Sequence, residues 1–155
     1  MKKKILSLIA GILLTITFTA CGQDPAITEF KHEIDTFCTK ISEIDTSINN
    51  IDANADNATT LLLGYLDNLD TEFQKFAELD FPEEFDYLES LADESSSYMT
   101  EAVKSYKEVY SDGYNEALAE YAKENYSRAY KRVQIIITFL HGEKPENVDL
   151  ITTEE

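Results

Sequence analysis

From Pro25 onward the apolar residues fall at Ile27, Phe30, Ile34, Phe37, Ile41, Ile44, Ile48 and Ile51, with spacings that alternate between three and four. Side chains spaced in this way line one stripe of an α-helix, and the unbroken alternation is that of an a/d heptad seam. The intervening positions are mostly Glu, Asp, Lys, Ser, Thr and Asn, so the opposite face is polar. Asp24 and Pro25 supply an N-cap and a proline in the first turn. Residues 52–57, rich in Asp, Asn and Ala, read as a loop. A second helix is predicted over residues 58–78, with Leu62, Tyr65, Leu69, Phe73 and Phe76 on one stripe and Leu61, Leu66 and Ala77 widening it.

Asp80, Phe81, Pro82 and Glu83 end that helix, and the Asp80–Glu83 spacing is that of a capping box opening a third. The third seam reads Phe85, Leu88, Ala92, Ser95, Met99, Ala102, Tyr106 and Val109. Asp112 and Gly113 predict a tight turn. A fourth helix follows over residues 114–141, with Leu118, Ala122, Ala129, Val133, Ile136 and Leu140 on its stripe. Gly142 suits the position after its last turn, and Pro145 prevents the helix from resuming.

Four amphipathic helices of similar length with short connections specify an all-α fold, an up-down-up-down antiparallel four-helix bundle spanning residues 25–142. The alternative is a three-helix bundle in which the third and fourth helices merge across Gly113. Residues 143–155 are acidic and read as a disordered tail. Only 5 glycines and 3 prolines occur, too few for a turn-rich β fold. A core of this length needs neither cofactor nor disulfide.

The chain begins with a different pattern. Lys2, Lys3 and Lys4 precede a 16-residue apolar run over residues 5–20. A permanent bilayer span needs about 20 such residues, so the run reads as an export signal. It closes with Phe18, Thr19, Ala20 and Cys21. These residues resemble the lipobox of bacterial lipoproteins, in which signal peptidase II cleaves before a cysteine that is then lipidated. Ala20 is the small residue the family requires, and Phe18 stands where the family usually carries Leu. The resemblance covers the first 21 residues. It implies a signal peptide over residues 1–20, a lipid (palmitate among its acyl chains) on Cys21, and a tether over residues 21–24. The expected location is the cell membrane, with the bundle lipid-anchored and facing outside the cytoplasm. Two acyl chains suffice for stable anchoring, at roughly 0.8 kcal/mol per buried CH₂.

Charge narrows the partners. The chain has 13 Lys+Arg against 30 Asp+Glu, a net −17. Every acid follows Cys21 and three lysines precede it, so cleavage would leave 10 basic residues and a net −20. That excess excludes general nucleic-acid binding. The charge is also lopsided. Residues 24–100 carry 3 basic and 19 acidic side chains, and residues 101–155 carry 7 and 11. Seven of the 9 tyrosines lie in the second half, between Tyr98 and Tyr130, among Lys104, Lys107, Lys123, Arg128, Lys131 and Arg132. Two accounts of this asymmetry stand: pairing with the acidic first half, or a contact surface. Tyrosine and arginine are enriched in interface hot spots, which nominates Tyr106, Tyr110, Tyr114, Tyr121, Arg128 and Tyr130 for a protein partner. Tyr106, Tyr110 and Tyr114 share one face if the helix continues through them. The bland alternative is that these rings fill the core margin.

Reactive chemistry is sparse. Cys38 follows a seam position and reads as a buried small hydrophobe. Glu29 and His32 have the Glu-x-x-His spacing of di-iron bundles, but His141 has Thr138 where a second motif needs Glu. Asp52, Asn54 and Asp56 alternate like calcium-loop ligands, but Asn57 and Leu63 stand where an EF-hand needs Gly and Glu. No nucleophile elbow or phosphate loop occurs. The expectation is a non-enzymatic, membrane-anchored module for protein interaction, without metal or cofactor. The alternative is a lipoprotein binding a small ligand or calcium.

Overall fold

The computed structural model describes residues 24–111 and 114–143. The expected export signal, Cys21, the turn expected at Asp112 and Gly113 and the tail expected beyond residue 143 lie outside them. The described residues form four α-helices: α1 (Pro25–Asn49), α2 (Ala58–Ala77), α3 (Glu89–Ser111) and α4 (Glu116–Leu140). A 3₁₀ turn over Asp86–Leu88 precedes α3. No strand occurs among the described residues, and none of their helices is long and apolar enough to cross a membrane.

Contacts between helices advance along one and retreat along the next, so the bundle is antiparallel. Lys40 of α1 meets Glu72 of α2, and Asp70 and Asp67 of α2 meet Thr100 and Lys107 of α3. Arg132 and Arg128 of α4 meet Glu94 and Tyr98 of α3. The last pairings exclude the three-helix alternative, because α3 and α4 lie side by side as separate helices. Backbone packing is closest between α3 and α4 and looser between α1 and α2. Long side chains bridge α1 to α4.

Of the α1 seam, Phe30, Ile34, Phe37, Ile41 and Ile48 are buried, with Ile34 fully inaccessible, whereas Ile27, Ile44 and Ile51 are only partly buried. The buried face also takes in the neighbouring row, Lys31, Cys38 and Asp45, which repeats every seven residues; Lys31 lies over Phe85, and Cys38 and Asp45 face α4. Aromatic rings fill the half of the core nearest the start of α1: Phe30 packs on Phe81 and Phe85, and Phe37 on Phe73 and Phe76. Toward the opposite end the core holds Ile48, Leu62 and Tyr106 beside the smaller Ala102, Ala119 and Ala122.

Helix ends follow the local chemistry. The Asp24 carboxylate accepts from the Ala26 N–H at 3.0 Å, and Pro25 occupies the first helical position. Asn115 caps α4 through Leu118 N–H at 3.1 Å. At the far end of α4, Gly142 takes φ +75°. Its N–H donates to the Phe139 carbonyl, and the Glu143 N–H donates to that of Thr138, a Schellman closure.

Three expectations shift. The third helix begins at Glu89 rather than Glu83, because Pro82 and residues 83–88 turn to deliver Phe81, Phe85 and Leu88 into the core. Leu66 is a fully buried core residue, whereas Leu61 is 39% exposed. Tyr114 precedes α4 instead of opening it.

Candidate functional site

The fold sorts the tyrosines of α3 and α4 into two sets. Tyr106, Tyr126 and Tyr130 turn inward. Tyr106 sits in the core at 3% exposure, and its hydroxyl has no hydrogen-bond partner among the described residues. Tyr126 and Tyr130 stack on each other at 4.8 Å and aim their hydroxyls at Asp45 of α1. Tyr114 and Tyr121 turn outward, 64% and 48% exposed, and Tyr98 and Tyr110 are half-buried.

Of the proposed contact residues, Tyr106 is therefore withdrawn from any surface, and the hydroxyl of Tyr130 is committed within the chain. Tyr106 lies on the buried seam of α3 and the Tyr130 hydroxyl reaches Asp45. α3 runs only to Ser111, so Tyr106, Tyr110 and Tyr114 do not share one face. Tyr110, Tyr114, Tyr121 and Arg128 keep accessible surface.

The outward face of α3 and α4 carries a second arrangement. The guanidinium groups of Arg128 and Arg132 both lie over the Tyr98 ring, each 5.7 Å from its centroid. Arg132 is also paired with Glu94 at 2.5 Å. Arg128 is exposed and meets no carboxylate among the described residues, in a chain with more than twice as many acids as bases. Its ring contact orients the side chain while leaving its five N–H donors unspent among the described residues. The basic cluster is thus partly consumed within the chain: Lys107 pairs with Asp67 at 2.5 Å and Arg132 with Glu94, both acids of the first half.

The inward arrangement is tighter. Asp45 is the only acid among the buried described residues. Tyr126 donates to Asp45 Oδ1 at 2.5 Å, Tyr130 donates to Oδ2 at 2.7 Å, and the two hydroxyl oxygens are 3.2 Å apart. Burial raises the proton affinity of Asp45 above that of an ordinary carboxylate, and the two hydroxyl donors oppose the rise. Burial likewise pushes both phenols well above their usual range, so they stay protonated. A cavity of about 20 Å³ opens beside the carboxylate, lined by Cys38, Ile41, Ser42, Asp45, Tyr130, Val133 and Gln134. Such a volume has room for about one water. Burial, with the charge of Asp35 behind it, lifts the Cys38 thiol to about 12, an unreactive value.

The remaining motifs find local roles. Glu29 and His32 are exposed. Asp52 Oδ1 accepts from the backbone and side-chain nitrogens of Asn54, at 2.9 and 3.3 Å, as a turn residue does. Among the described residues, no group of three or more His, Cys, Asp or Glu side chains is arranged to hold a metal ion.

Sequence reasoning did not single out Asp45. The available signal was the seven-residue recurrence of Lys31, Cys38 and Asp45 beside the seam, which marks a third buried row. No family model matches the chain, and comparisons with curated proteins and with solved structures return no match.

Proposed function

We propose that this protein is a lipid-anchored, extracytoplasmic helical bundle that binds another protein through the outward face of α3 and α4. The observation that carries the reading is Arg128, held over Tyr98 with its donors unspent in a strongly acidic chain. An arginine fixed in place loses little conformational freedom when a partner's carbonyl or carboxylate meets it, which is the physical profile of an interface anchor. Tyr121 lies seven residues before Arg128 on α4 and adds exposed aromatic area to the same side of the helix. No catalytic constellation is part of this reading.

The anchor rests on the lipobox resemblance at Cys21. An anchored bundle would place the start of α1, the α2–α3 connection and the end of α4 toward the membrane, and Tyr114 at the far tip. Metabolic labelling with an alkyne fatty acid should mark the wild-type chain, and Cys21→Ser should abolish the label and release the protein from membranes. A photo-crosslinker at Tyr121 should capture a discrete partner that is lost in Arg128→Ala. Unchanged crosslinks in Arg128→Ala would remove the proposed face, and an unlabelled wild-type chain would remove the anchor.

A further inference from the structure

We propose that Asp45, Tyr126 and Tyr130 form a proton-binding site that sets how firmly α1 is docked on α4, and so makes the bundle responsive to the acidity of its surroundings. The geometry leaves the charged form of the site thinly compensated, because a buried carboxylate is met by two phenols and by no cation among the groups acting on it. The carboxylate and the two hydroxyls make three contacts, of 2.5, 2.7 and 3.2 Å. With Asp45 ionised, the two phenolic protons serve the contacts to the carboxylate, and the contact between hydroxyl oxygens holds none. A proton on Asp45 supplies the missing donor. The carboxyl donates to one hydroxyl, that hydroxyl to the other, and the second to the remaining carboxyl oxygen. The circuit then closes with no net charge left in the core.

The surroundings do little to favour the ionised form. Of the titratable groups of α1, Cys38 acts on Tyr130 and is held neutral by burial. On α4 the two tyrosines face the carboxylate, and from α2 the Phe73 ring reaches Tyr130 at 5.5 Å. Among the described residues, no cation is among the groups acting on Asp45, and no titratable group of α3 acts on any of the three. An ionised Asp45 must therefore draw on water through the cavity beside it, between α1 and α4, in whose wall Cys38 also sits. Ionisation loosens this seam and exposes the thiol. Because burial raises the folded-state pKa of Asp45 above its ordinary 3.8, folding takes up a proton in the window above that value, and stability falls as pH rises through it.

The test uses the full chain with urea unfolding between about pH 4 and 8, together with peptide-resolved alkylation of Cys38. Asp45→Asn mimics the protonated form. The wild type should lose stability relative to this variant as pH rises, and at pH 7.5 its Cys38 should react about fivefold faster or more. Tyr126→Phe and Tyr130→Phe each remove a donor to the carboxylate and should move the wild-type transition to higher pH. Parallel stability curves for wild type and Asp45→Asn, with equal Cys38 reactivity, would overturn the proposal. If Asp45→Asn does not fold, direct carbon-13 titration of the Asp45 carboxyl decides. A midpoint above the ordinary carboxylate value that rises further in the two Phe variants supports the site. A midpoint at or below that value, or one the variants leave unmoved, rejects it.

Discussion

Phe37 lies face to face with Phe76, ring centroids 4.2 Å apart and planes 10° from parallel. Phe37 also meets Phe73 edge-on at 5.3 Å, so one ring of α1 is clamped by two rings one helical turn apart on α2. The clamp is an apolar attachment of α1 to α2, beside the packing of Phe30 on Phe81 and Phe85. Phe76→Ala should therefore lower stability by about 3–5 kcal/mol, at the large end for a core truncation. Chemical denaturation should show the loss as a lower midpoint with an unchanged slope.

Tyr106 has the reverse profile. Its ring is buried, but its hydroxyl is an unsatisfied polar group in the core. Burial raises its pKa beyond the phenol range, so it stays neutral, yet neutrality does not replace the hydrogen bond lost on leaving water. Tyr106→Phe keeps the ring and removes the orphan oxygen. The variant should unfold at a higher denaturant concentration, with a gain of roughly 1 kcal/mol. A loss of stability would mean that the hydroxyl finds a partner in solution.

The contrast between these rings marks what a sequence conveys. The α1 seam and the helix count were legible because burial there depends on local spacing alone. The start of α3 was not, since Phe81, Phe85 and Leu88 have core spacing whether they lie on a helix or on a turn. The tyrosines were harder still. Tyr126 and Tyr130 face inward because Asp45, more than eighty residues earlier, accepts their hydroxyls. Tyr114 faces outward because α3 has already ended. The first cause lies far along the chain from the residues it governs.

Glu72 should shape the pH dependence with a sign opposite to that of Asp45. Burial would raise its pKa, but hydrogen bonds and charge from Lys75 and Lys40 outweigh burial and hold it below the ordinary 4.5. A depressed folded-state pKa contributes stability above the unfolded value and loses it as pH falls through the folded one. Lys40 joins α1 to α2 through Glu72 at 3.1 Å, and its side chain is 48% exposed, so screening limits the effect. Lys40→Met should lower stability at pH 7 by less than about 1 kcal/mol, and the deficit should shrink below pH 4.5 and in high salt. A deficit constant with pH would assign the effect to lost packing of the lysine stem.

Two glycines should respond to alanine in opposite directions. Gly64 lies on the exposed face of α2, and a methyl group there meets nothing within 4 Å. Its helical backbone suits any L residue, so Gly64→Ala should reduce unfolded-chain entropy and stabilise by roughly 0.5–1 kcal/mol. Gly142 has equally open surroundings, but its φ of +75° closes the end of α4 in a conformation L residues resist. Gly142→Ala should cost about 1 kcal/mol through backbone strain alone, and Gly142→Asn should cost less because Asn tolerates that region. Thermal unfolding of the three variants tests the pair. A rise for Gly142→Ala would show that the Schellman closure at the end of α4 is not maintained in solution.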